Sequence, residues 1–312
     1  RHFLHTVRHD ASKLSMPFHA LRLEKSNVNR SRNACTKGEP MTETDTPSLL
    51  VEREGPVLLL TMNRPHRRNA LVPDMLVRFA DAWDLADSDD SIRCVILTGA
   101  GDVAYCAGGD LNDGWMSGEV TEEAKRIQER LKDDPGVVGK GLLLTHWCTK
   151  PIIAVVNGQC MGGGCEMLQA TDIRIAEQHA TFGVPEVKRG LIAGAGSTMR
   201  LKRQIPYAVA MDMLITGRVL DAEEALRWGL VSHIAPSGAG MAKAREIADV
   251  ICANGPLAVK AAKASAIATG WLPESEAQPI EIGFVSPVMR SEDAKEGMKA
   301  FSEKRTPNFQ GK

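Results

Sequence analysis

Short runs of branched apolar residues recur along the chain from Leu49 onward. Runs that stay apolar at successive positions, without polar residues in alternation, are typical of strands covered on both faces. The pattern therefore predicts four buried strands, at Val57–Met62, Arg93–Thr98, Ile152–Val156 and Asp172–Ala176.

A helical pattern separates the first two of these strands. The stretch Pro73–Asp87 begins with a proline, which suits the first turn of a helix. The apolar residues that form its predicted buried face are Met75, Leu76, Phe79, Trp83 and Leu85. Strand, helix and strand in this order predict an α/β fold with mostly parallel strands. The pattern leaves open whether the repeated units stack as a spiral or lie side by side in a wound sheet.

The last third of the chain is predicted to be helical, because the strand patterns fade after about Pro206. Asp221 is placed to cap one helix, and Glu224 is placed to complete a capping box. The predicted helices are Ala208–Thr216, Ala222–Trp228, Gly240–Ala253, Pro256–Thr269 and Glu292–Lys304. Amphipathic helices of this kind can cover the core or contact a neighbouring subunit.

Composition and charge are those of a globular protein. Hydrophobic residues make up 43% of the 312 positions, and 38 Lys and Arg balance 39 Asp and Glu to a net charge of −1. No apolar run approaches the roughly 20 residues that span a bilayer. We therefore expect no membrane insertion and no nucleic-acid partner.

Residues 1–40 differ from the rest of the chain. They carry eight Lys and Arg against three Asp and Glu, contain four of the eight histidines, and lack a sustained apolar period. Met41 opens a segment, MTETDTPSLL, that resembles a natural start. We expect this head to lie outside the fold, either as an organelle-targeting segment or as residues from a vector or an upstream reading frame.

The chain has seven cysteines and no CxxC pair, which indicates reduced thiols inside a cell rather than disulfides or structural zinc. They are Cys35, Cys94, Cys106, Cys148, Cys160, Cys165 and Cys252. We therefore expect a cytoplasmic protein, or a mitochondrial one if residues 1–40 are a transit segment.

Three glycine-containing stretches follow predicted strands, where α/β proteins commonly bind ligands. They are Ala104–Leu111, Gly158–Glu166 and Gly190–Gly196. None has the spacing of a phosphate-binding loop or a dinucleotide fingerprint, so ATP and NAD are not expected. Each stretch alone is compatible with a tight turn. Together, one backbone N–H from Gly108–Gly109 and one from Gly162–Gly164 would stabilise negative charge on a thioester oxygen.

Two glutamates complete the candidate site. Glu166 follows Gly163 by three residues, and Glu186 lies twenty residues further along. Held on either side of a water molecule, one carboxylate can accept a proton from the water while the other protonates carbon. Their repulsion should separate their pKa values. The alternative is structural: Glu166 complements a helix N-terminus, and Glu186 pairs with Lys188 or Arg189.

The remaining polar residues match catalytic patterns less well. Four histidines outside the head lack partners at metal-ligand or triad spacing, so no metal site is expected. These histidines are His66, His146, His179 and His233. Ser197 lacks the spacing of a nucleophile elbow, and Cys165 is expected to be an inert buried thiol. The basic cluster from Arg64 to Arg68 either meets phosphates or forms a solvated loop.

The site residues lie within ordered motifs by which the chain resembles the crotonase superfamily and, within it, the enoyl-CoA hydratases. The match extends over roughly residues 49–309. The motifs that carry it are MNRPHRRNAL (Met62–Leu71), YCAGGDL (Tyr105–Leu111), KPIIAVVNGQCMGGGCE (Lys150–Glu166), DIRIAEQHATFGVPEVKRGLIAGAG (Asp172–Gly196), ITGRVLDAEEALRWGLVSHI (Ile215–Ile234) and SEDAKEGMKAFSEKRTPNF (Ser291–Phe309). The same scaffold serves hydratases, isomerases, hydrolases, decarboxylases and dehalogenases.

The resemblance implies a fold and an assembly. We expect a crotonase-like spiral core of repeated ββα units over residues 41–235 and a helical trimerisation region over residues 236–312. Family members commonly form homotrimers or dimers of trimers. The resemblance implies no metal or redox cofactor, since coenzyme A is part of the acyl-CoA substrate.

The resemblance also implies roles for individual residues. The N–H groups of Gly109 and Gly163 would form an oxyanion hole. Glu166 would help to deprotonate water and Glu186 would protonate the α-carbon, in a syn hydration of trans-2-enoyl-CoA to 3-hydroxyacyl-CoA during fatty acid or related acyl-CoA degradation. The residues expected to line the substrate and CoA path are Arg67, Arg68, Ala70, Ala107, Asp110, Leu111, Gly162, Pro185, Arg189 and Gly194.

Three departures from the family pattern bear on the substrate. Arg189 stands where well-studied hydratases have an aliphatic residue, Ala193 replaces a proline, and Asn112 replaces a lysine. Arg189 either selects a polar or charged acyl group or points to solvent. The segment Trp115–Val138 has the composition of a mobile loop that covers the acyl chain. The rival activities are enoyl-CoA isomerisation, a specialised acyl-CoA dehydration, and noncatalytic CoA binding or scaffolding.

Overall fold

The computed structural model describes residues 46–111 and 122–312. They belong to one compact unit, Glu43–Lys312. Within the two described ranges, no helix is long and apolar enough to cross a membrane. Asn112 and the first part of Trp115–Val138 lie outside the described residues, as does the head of the chain.

Two sheets form the core of the described chain. Their strands, numbered in chain order, are β1 (Leu49–Glu54), β2 (Val57–Met62), β3 (Cys94–Gly99), β4 (Ala104–Cys106), β5 (Ile152–Val156), β6 (Gln159–Met161), β7 (Ile173–Glu177), β8 (Thr181–Gly183), β9 (Val219–Asp221) and β10 (His233–Ala235). The larger sheet has the order β1-β2-β3-β5-β7-β10, parallel except for the β1–β2 pair. The smaller sheet has the order β4-β6-β8-β9, parallel except for the β8–β9 pair.

The chain alternates between the two sheets. β3 in the larger sheet is followed by β4 in the smaller one, β5 by β6, and β7 by β8. Each pair therefore adds one strand to each sheet before the chain moves on. This repeated path is a spiral, which resolves the alternative that the hydrophobic pattern left open.

Helices connect the strand pairs and make up the C-terminal region. They are α1 (Pro73–Ser88), α2 (Glu122–Asp133), α3 (Val137–Gly141), α4 (Gly163–Leu168), α5 (Ser197–Gln204), α6 (Tyr207–Thr216), α7 (Ala222–Arg227), α8 (Gly240–Ala253), α9 (Pro256–Thr269), α10 (Glu274–Met289) and α11 (Glu292–Glu303). Short 3-10 helices lie at Pro65–Arg67 and Pro185–Arg189.

The predicted apolar face of α1 packs into the core. Met75, Phe79 and Trp83 are fully buried, and the rings of Phe79 and Trp83 stack with centroids 5.6 Å apart. The prediction was wrong at Leu85, which is 43% exposed. Leu85 follows Trp83 by two residues, or about 200° around a helix, so it points away from the buried face.

The larger sheet is covered on one side by α8. Ala244 and Ala248 of this helix lie in one apolar cluster with Ile153, Val155 and Ile175 of the sheet. Because the sheet is also packed on its other side, its central strands are apolar at successive positions. This double burial explains why the sequence pattern showed uninterrupted apolar runs.

Some elements differ from the prediction. The strands predicted at Arg93–Thr98 and Asp172–Ala176 are each shifted by one residue. Strands do occur after Pro206, as β9 and β10, and the smaller sheet was missed because three-residue strands are too short to show a period. Helix α10 was missed because it contains Pro279 and Pro287, which disfavour a helix interior.

Of the capping box predicted for α7, the cap by Asp221 is confirmed. The Oδ1 atom of Asp221 accepts a hydrogen bond from the backbone N–H of Glu224 over 2.8 Å. The second half of the capping box was wrong, because the Glu224 carboxylate accepts from the Arg218 guanidinium at 2.7 Å instead. An ion pair to Arg218 satisfies this carboxylate better than one backbone N–H.

Candidate active site

The loop after β4 carries the first glycine pair and is tied to the segment before α1. Leu71 N–H donates to the Gly108 carbonyl over 2.8 Å, and Asp110 N–H donates to the Leu71 carbonyl over 2.9 Å. Gly108 has a φ of +93°, which a side chain rarely adopts. A Cβ at Gly108 would lie 3.4 Å from the nitrogen of Gly163, so the two glycine stretches meet.

The second glycine stretch turns from β6 into α4. Gly162 has a φ of +53° and donates its N–H to the Gly183 carbonyl over 2.9 Å. Helix α4 then starts at Gly163, and a Cβ there would lie 3.9 Å from the nitrogen of Gly109. Among the described residues, the N–H groups of Gly109 and Gly163 have no hydrogen-bond acceptor. The geometry thus places two available donors side by side.

Glu166 lies on the first turn of α4 and is 3% exposed. Its Oε1 atom accepts hydrogen bonds from Ala195 N–H at 2.8 Å and Ser197 N–H at 3.1 Å, at the start of α5. Burial raises the pKa of Glu166, the hydrogen bond from Ser197 opposes this rise, and the neighbouring charge of Glu186 adds to it. The charge of Glu186 therefore disfavours ionisation of Glu166.

Glu186 lies in the 3-10 helix Pro185–Arg189. Its Oε1 atom is 3.1 Å from the position of a Cβ on Gly162, and its buried Oε2 atom has no hydrogen-bond partner among the described residues. Burial raises the pKa of Glu186, and a hydrogen bond from its own backbone N–H and the charge of Arg189 partly offset that rise. A buried carboxylate oxygen without a partner favours the protonated form.

The structural alternative for the two glutamates is met only in part. Glu166 does complement a helix N-terminus, but that of α5 rather than that of its own helix. Glu186 forms no ion pair within the described residues. The aliphatic part of Lys188 lies against Gly217, where a Cβ would come within 2.9 Å of it.

The residues expected to line the CoA path cluster beside the first glycine pair. Arg67 and Arg68 are exposed at the 3-10 helix Pro65–Arg67, and Ala107 N–H donates to the Arg68 carbonyl over 3.0 Å. Ala70 is buried next to them, and Leu111 is 65% exposed. These residues share one side of the site, so the structure brings this part of the expected set together.

Asp110 holds this region in shape. It is 5% exposed and pairs with Arg64 over 2.9 Å, while the same Arg64 nitrogen donates to the Ala70 carbonyl. Both contacts fix the loop that carries Gly109. Sequence reasoning placed Arg64 in a basic cluster but did not assign this role, because the partner is 46 residues away.

The expected residues at the other end of the site surround Glu186. Pro185 starts its 3-10 helix, and Gly162 lies against its Oε1 atom. Arg189 is exposed at the end of that helix, and Gly194 precedes the residue that donates to Glu166. Arg189 therefore lies at the solvent-facing rim next to Glu186.

The residues that were expected to be structural have structural partners. The Ser197 hydroxyl accepts from Gln169 at 2.7 Å, and Cys165 is buried. His179 contacts Ser237 and backbone carbonyls, and His146 contacts Asp87. In the part of the chain that the structure describes, no cluster of ligating side chains could hold a metal ion.

Comparisons with known proteins agree with this geometry. The family model described as enoyl-CoA hydratase/isomerase matches residues 52–312. The chain is 46% identical over 268 residues to the enoyl-CoA hydratase EchA19 of Mycobacterium tuberculosis, covering 85% of this chain and 97% of that protein. It is 40% identical to the (E)-benzylidenesuccinyl-CoA hydratase of Thauera aromatica, covering 82% and 96%.

Solved structures show the same fold. A structure of an enoyl-CoA hydratase/isomerase from Mycobacterium abscessus matches with a TM-score of 0.76 at 55% identity, covering 85% of this chain and all of that one. The structure of the enoyl-CoA hydratase EchA1 from Mycobacterium marinum matches with a TM-score of 0.76 at 38% identity, covering 86% and 100%. With the spiral fold and the paired glycine loops, these matches mean that the chain belongs to the enoyl-CoA hydratase/isomerase family.

Proposed function

We propose that the chain hydrates trans-2-enoyl-CoA thioesters to 3-hydroxyacyl-CoA products. The observation that carries the proposal is that the buried Glu166 and the half-buried Glu186 lie beside the available N–H groups of Gly109 and Gly163. The same pairing of donors with an acid and a base is what addition of water to a conjugated thioester requires.

The proposed mechanism gives each group one task. The N–H groups of Gly109 and Gly163 donate to the thioester oxygen as it gains negative charge, which stabilises the enolate. Glu166 accepts a proton from the water that attacks the β-carbon. Glu186 delivers a proton to the α-carbon on the same face. Coenzyme A enters only as part of the substrate, and no further cofactor takes part in these steps.

The surroundings of the two glutamates support this division. Glu166 accepts two backbone hydrogen bonds, which favour its ionised form and therefore a role as base. The Oε2 atom of Glu186 has no partner in the described part of the chain, which favours a protonated acid. Burial raises the pKa of both glutamates, and the difference in their hydrogen bonding matches the difference in their tasks.

We propose that CoA binds along the side of the site formed by Arg67, Arg68, Ala70 and the loop from Ala107 to Leu111. The two arginines are exposed there and supply positive charge for the phosphates. Gly162, Pro185 and Gly194 would then border the reacting end of the thioester.

The main alternative is isomerisation of the double bond, in which one carboxylate moves a proton between carbons. The presence of both glutamates favours hydration. The test mixes purified protein with crotonyl-CoA, longer 2-enoyl-CoAs or carboxylated 2-enoyl-CoAs. It follows the loss of the substrate's enoyl absorbance. Rapid loss supports hydration, and CoA-thioester binding without any loss contradicts it.

A matched pair of variants makes this test specific. Glu177 is also a buried carboxylate that accepts two backbone hydrogen bonds, from Gly238 and Gly240, but it lies at the end of β7 outside the site. We expect Glu166→Gln to abolish most turnover and Glu177→Gln to retain it. Equal effects of the two changes would contradict the role given to Glu166.

We also propose that the chain assembles as a homotrimer or a dimer of trimers. Helices α9 and α10 have no buried residue. The large apolar side chains of Trp271, Ile282 and Met289 in this region are each more than half exposed. Burial of such apolar surface against another copy would stabilise the assembly. Light scattering after size exclusion tests this, and a monomer at micromolar concentration would contradict it.

We place the protein in the cytoplasm as a further part of the proposal. The six cysteines among the described residues are unpaired, which supports a reducing compartment. Fractionation with an antibody against the chain tests the assignment, and recovery from the mitochondrial matrix would favour the alternative of a transit segment in residues 1–40.

A further inference from the structure

Arg200 is a buried arginine beside the site that the mechanism above does not use. It lies on the first turn of α5 and is 8% exposed. Its Nη2 atom donates to the Leu143 carbonyl over 2.5 Å, and its guanidinium lies over the ring of Trp147 at 5.3 Å from the centroid. Its Nη1 atom is buried and has no hydrogen-bond partner among the described residues.

The unpartnered nitrogen lies against the turn that holds Glu166. Ala195 and Ser197 both donate to the Glu166 carboxylate, and Gly196 is the residue between them. A Cβ on Gly196 would lie 3.0 Å from Arg200 Nη1. The charge therefore lies beside the three residues that fix the position of the proposed base.

The contact with the Leu143 carbonyl does not require a full positive charge, whereas the contact with the Trp147 ring uses the charge without pairing it with an anion. A neutral donor would satisfy the Leu143 carbonyl, and burial of an unpaired charge is unfavourable. Burial raises the pKa of Glu166 and lowers that of Arg200, and the charge of each residue partly offsets the shift of the other. This mutual attraction compensates part of the cost of burying the guanidinium.

We propose that Arg200 is a positioning residue for the reaction: its buried charge, beside the turn that donates to Glu166, favours the ionised form of that carboxylate. The inference rests on the proposed function, in which Glu166 accepts a proton from water. Arg200 acts through Glu166 and does not touch the substrate.

The charged groups around Glu166 determine in which direction its pKa changes when Arg200 is replaced. Glu186 approaches from the 3-10 helix Pro185–Arg189 and raises the pKa of Glu166, whereas Arg200 approaches from α5 and lowers it. The strands β4 and β6, which contact α4, carry the buried thiols of Cys106 and Cys160. Loss of Arg200 removes one of the groups that favour the carboxylate form of Glu166, so Glu166 would bind its proton up to a higher pH.

The test compares Arg200→Gln, which keeps a donor for the Leu143 carbonyl, with Arg200→Lys, which keeps the charge. The pH dependence of kcat/KM is measured with crotonyl-CoA. We expect the acid limb of Arg200→Gln to move upward by about one pH unit. We expect the acid limb of Arg200→Lys to stay near that of the wild type. A purely structural role would lower kcat/KM at all pH values without moving the limb, and that result would overturn the proposal.

Arg203→Gln is the matched control. Arg203 lies on the same helix and also stacks on a tryptophan, with its guanidinium 4.6 Å from the ring centroid of Trp271. It has no part in the turn that holds Glu166. We expect this control to keep the wild-type acid limb, and an equal shift in it would overturn the assignment to Arg200.

A double-mutant cycle tests the proposal without any turnover. The free energy of unfolding is measured at pH 7 for the wild type, Glu166→Gln, Arg200→Gln and the double variant. We expect Arg200→Gln to destabilise the protein less when Glu166 is already neutral. Additive effects would overturn the proposal. If the wild type hydrates no thioester, the proposed function fails, while the cycle still decides whether Arg200 and Glu166 are coupled.

Discussion

Gly163→Ala tests the proposed pair of oxyanion donors, because it adds a single methyl group beside the N–H groups of Gly109 and Gly163. The added methyl carbon would lie 3.9 Å from the nitrogen of Gly109 and 3.2 Å from Cδ1 of Leu71. Gly163 is the first residue of α4 and is absent from the residues with positive φ, so alanine suits its backbone. The change therefore adds one methyl group beside the two donors without straining the main chain.

The effect on stability should be small. Alanine is favoured over glycine in a helix by up to about 1 kcal/mol. The contact with the Leu71 methyl group must relax by a few tenths of an ångström, which costs about 1 kcal/mol at the low end of overpacking. The two contributions oppose each other, so we expect the free energy of unfolding to change by less than about 1 kcal/mol.

The effect on turnover should be large. The methyl group would take space in which the thioester oxygen must accept from both N–H groups. Loss of one such donor costs roughly 2.7–4 kcal/mol of transition-state stabilisation, or about 100- to 1,000-fold in kcat. The assay is kcat with crotonyl-CoA, alongside chemical denaturation of the same preparation.

Gly164→Ala is the control for this experiment. A Cβ at Gly164 would lie 2.5 Å from Cβ and 2.7 Å from Sγ of the buried Cys106. We expect that change to destabilise the fold by about 3 kcal/mol. Wild-type kcat in a folded Gly163→Ala variant would refute the assignment of the donors.

The remaining predictions concern the glutamates and the head of the chain. Glu186→Gln should remove most hydratase turnover, as Glu166→Gln should, with little change in acyl-CoA affinity by calorimetry; near wild-type turnover in either variant would contradict its role. Burial raises the pKa of Glu166, so the folded state binds its proton more tightly and stability should fall as pH rises from about 4.5 through the raised value. Glu166→Gln should lack that fall and be more stable than the wild type at pH 7, by about 1.4 kcal/mol for each unit of the rise, and denaturation at pH 4 and pH 7 measures the difference. Removal of residues 1–40 should leave folding and turnover unchanged, because the match to the M. tuberculosis relative covers 97% of that protein but only 85% of this chain. Loss of soluble protein would show that the head contributes.

Much of the fold could be predicted because burial leaves a strong signal in the sequence. The central strands are apolar at successive positions because both faces of the larger sheet are covered, as at Ile153 and Val155. The residue pattern also predicted the helical C-terminal region, the resemblance added the spiral, and the family and the spiral fold are confirmed. Helix α10 could not be predicted in this way, since its two prolines suppress the helical signal and its helical face has no buried residue.

The candidate site could be predicted only as separate pieces. The glycine stretches and the two glutamates were visible as residue types, and the structure brings Gly109, Gly163 and Glu186 together. The donors to Glu166 were not visible, because Ala195 contributes only its backbone and lies 29 residues away. Arg200 carried no signal either, since one arginine in a short helix resembles any solvated basic residue until its burial is known. The roles of all these residues stay predictions until the variants are measured.

Product analysis of crotonyl-CoA turned over in water enriched in oxygen-18 distinguishes hydration from every rival reaction. If the chain is a hydratase, mass spectrometry will find a 3-hydroxyacyl-CoA that contains one labelled oxygen at the β-carbon, formed by the wild type and by Glu177→Gln but hardly by Glu166→Gln. An unlabelled product with a shifted double bond from longer enoyl-CoAs, or unchanged thioester with every substrate, would contradict the account.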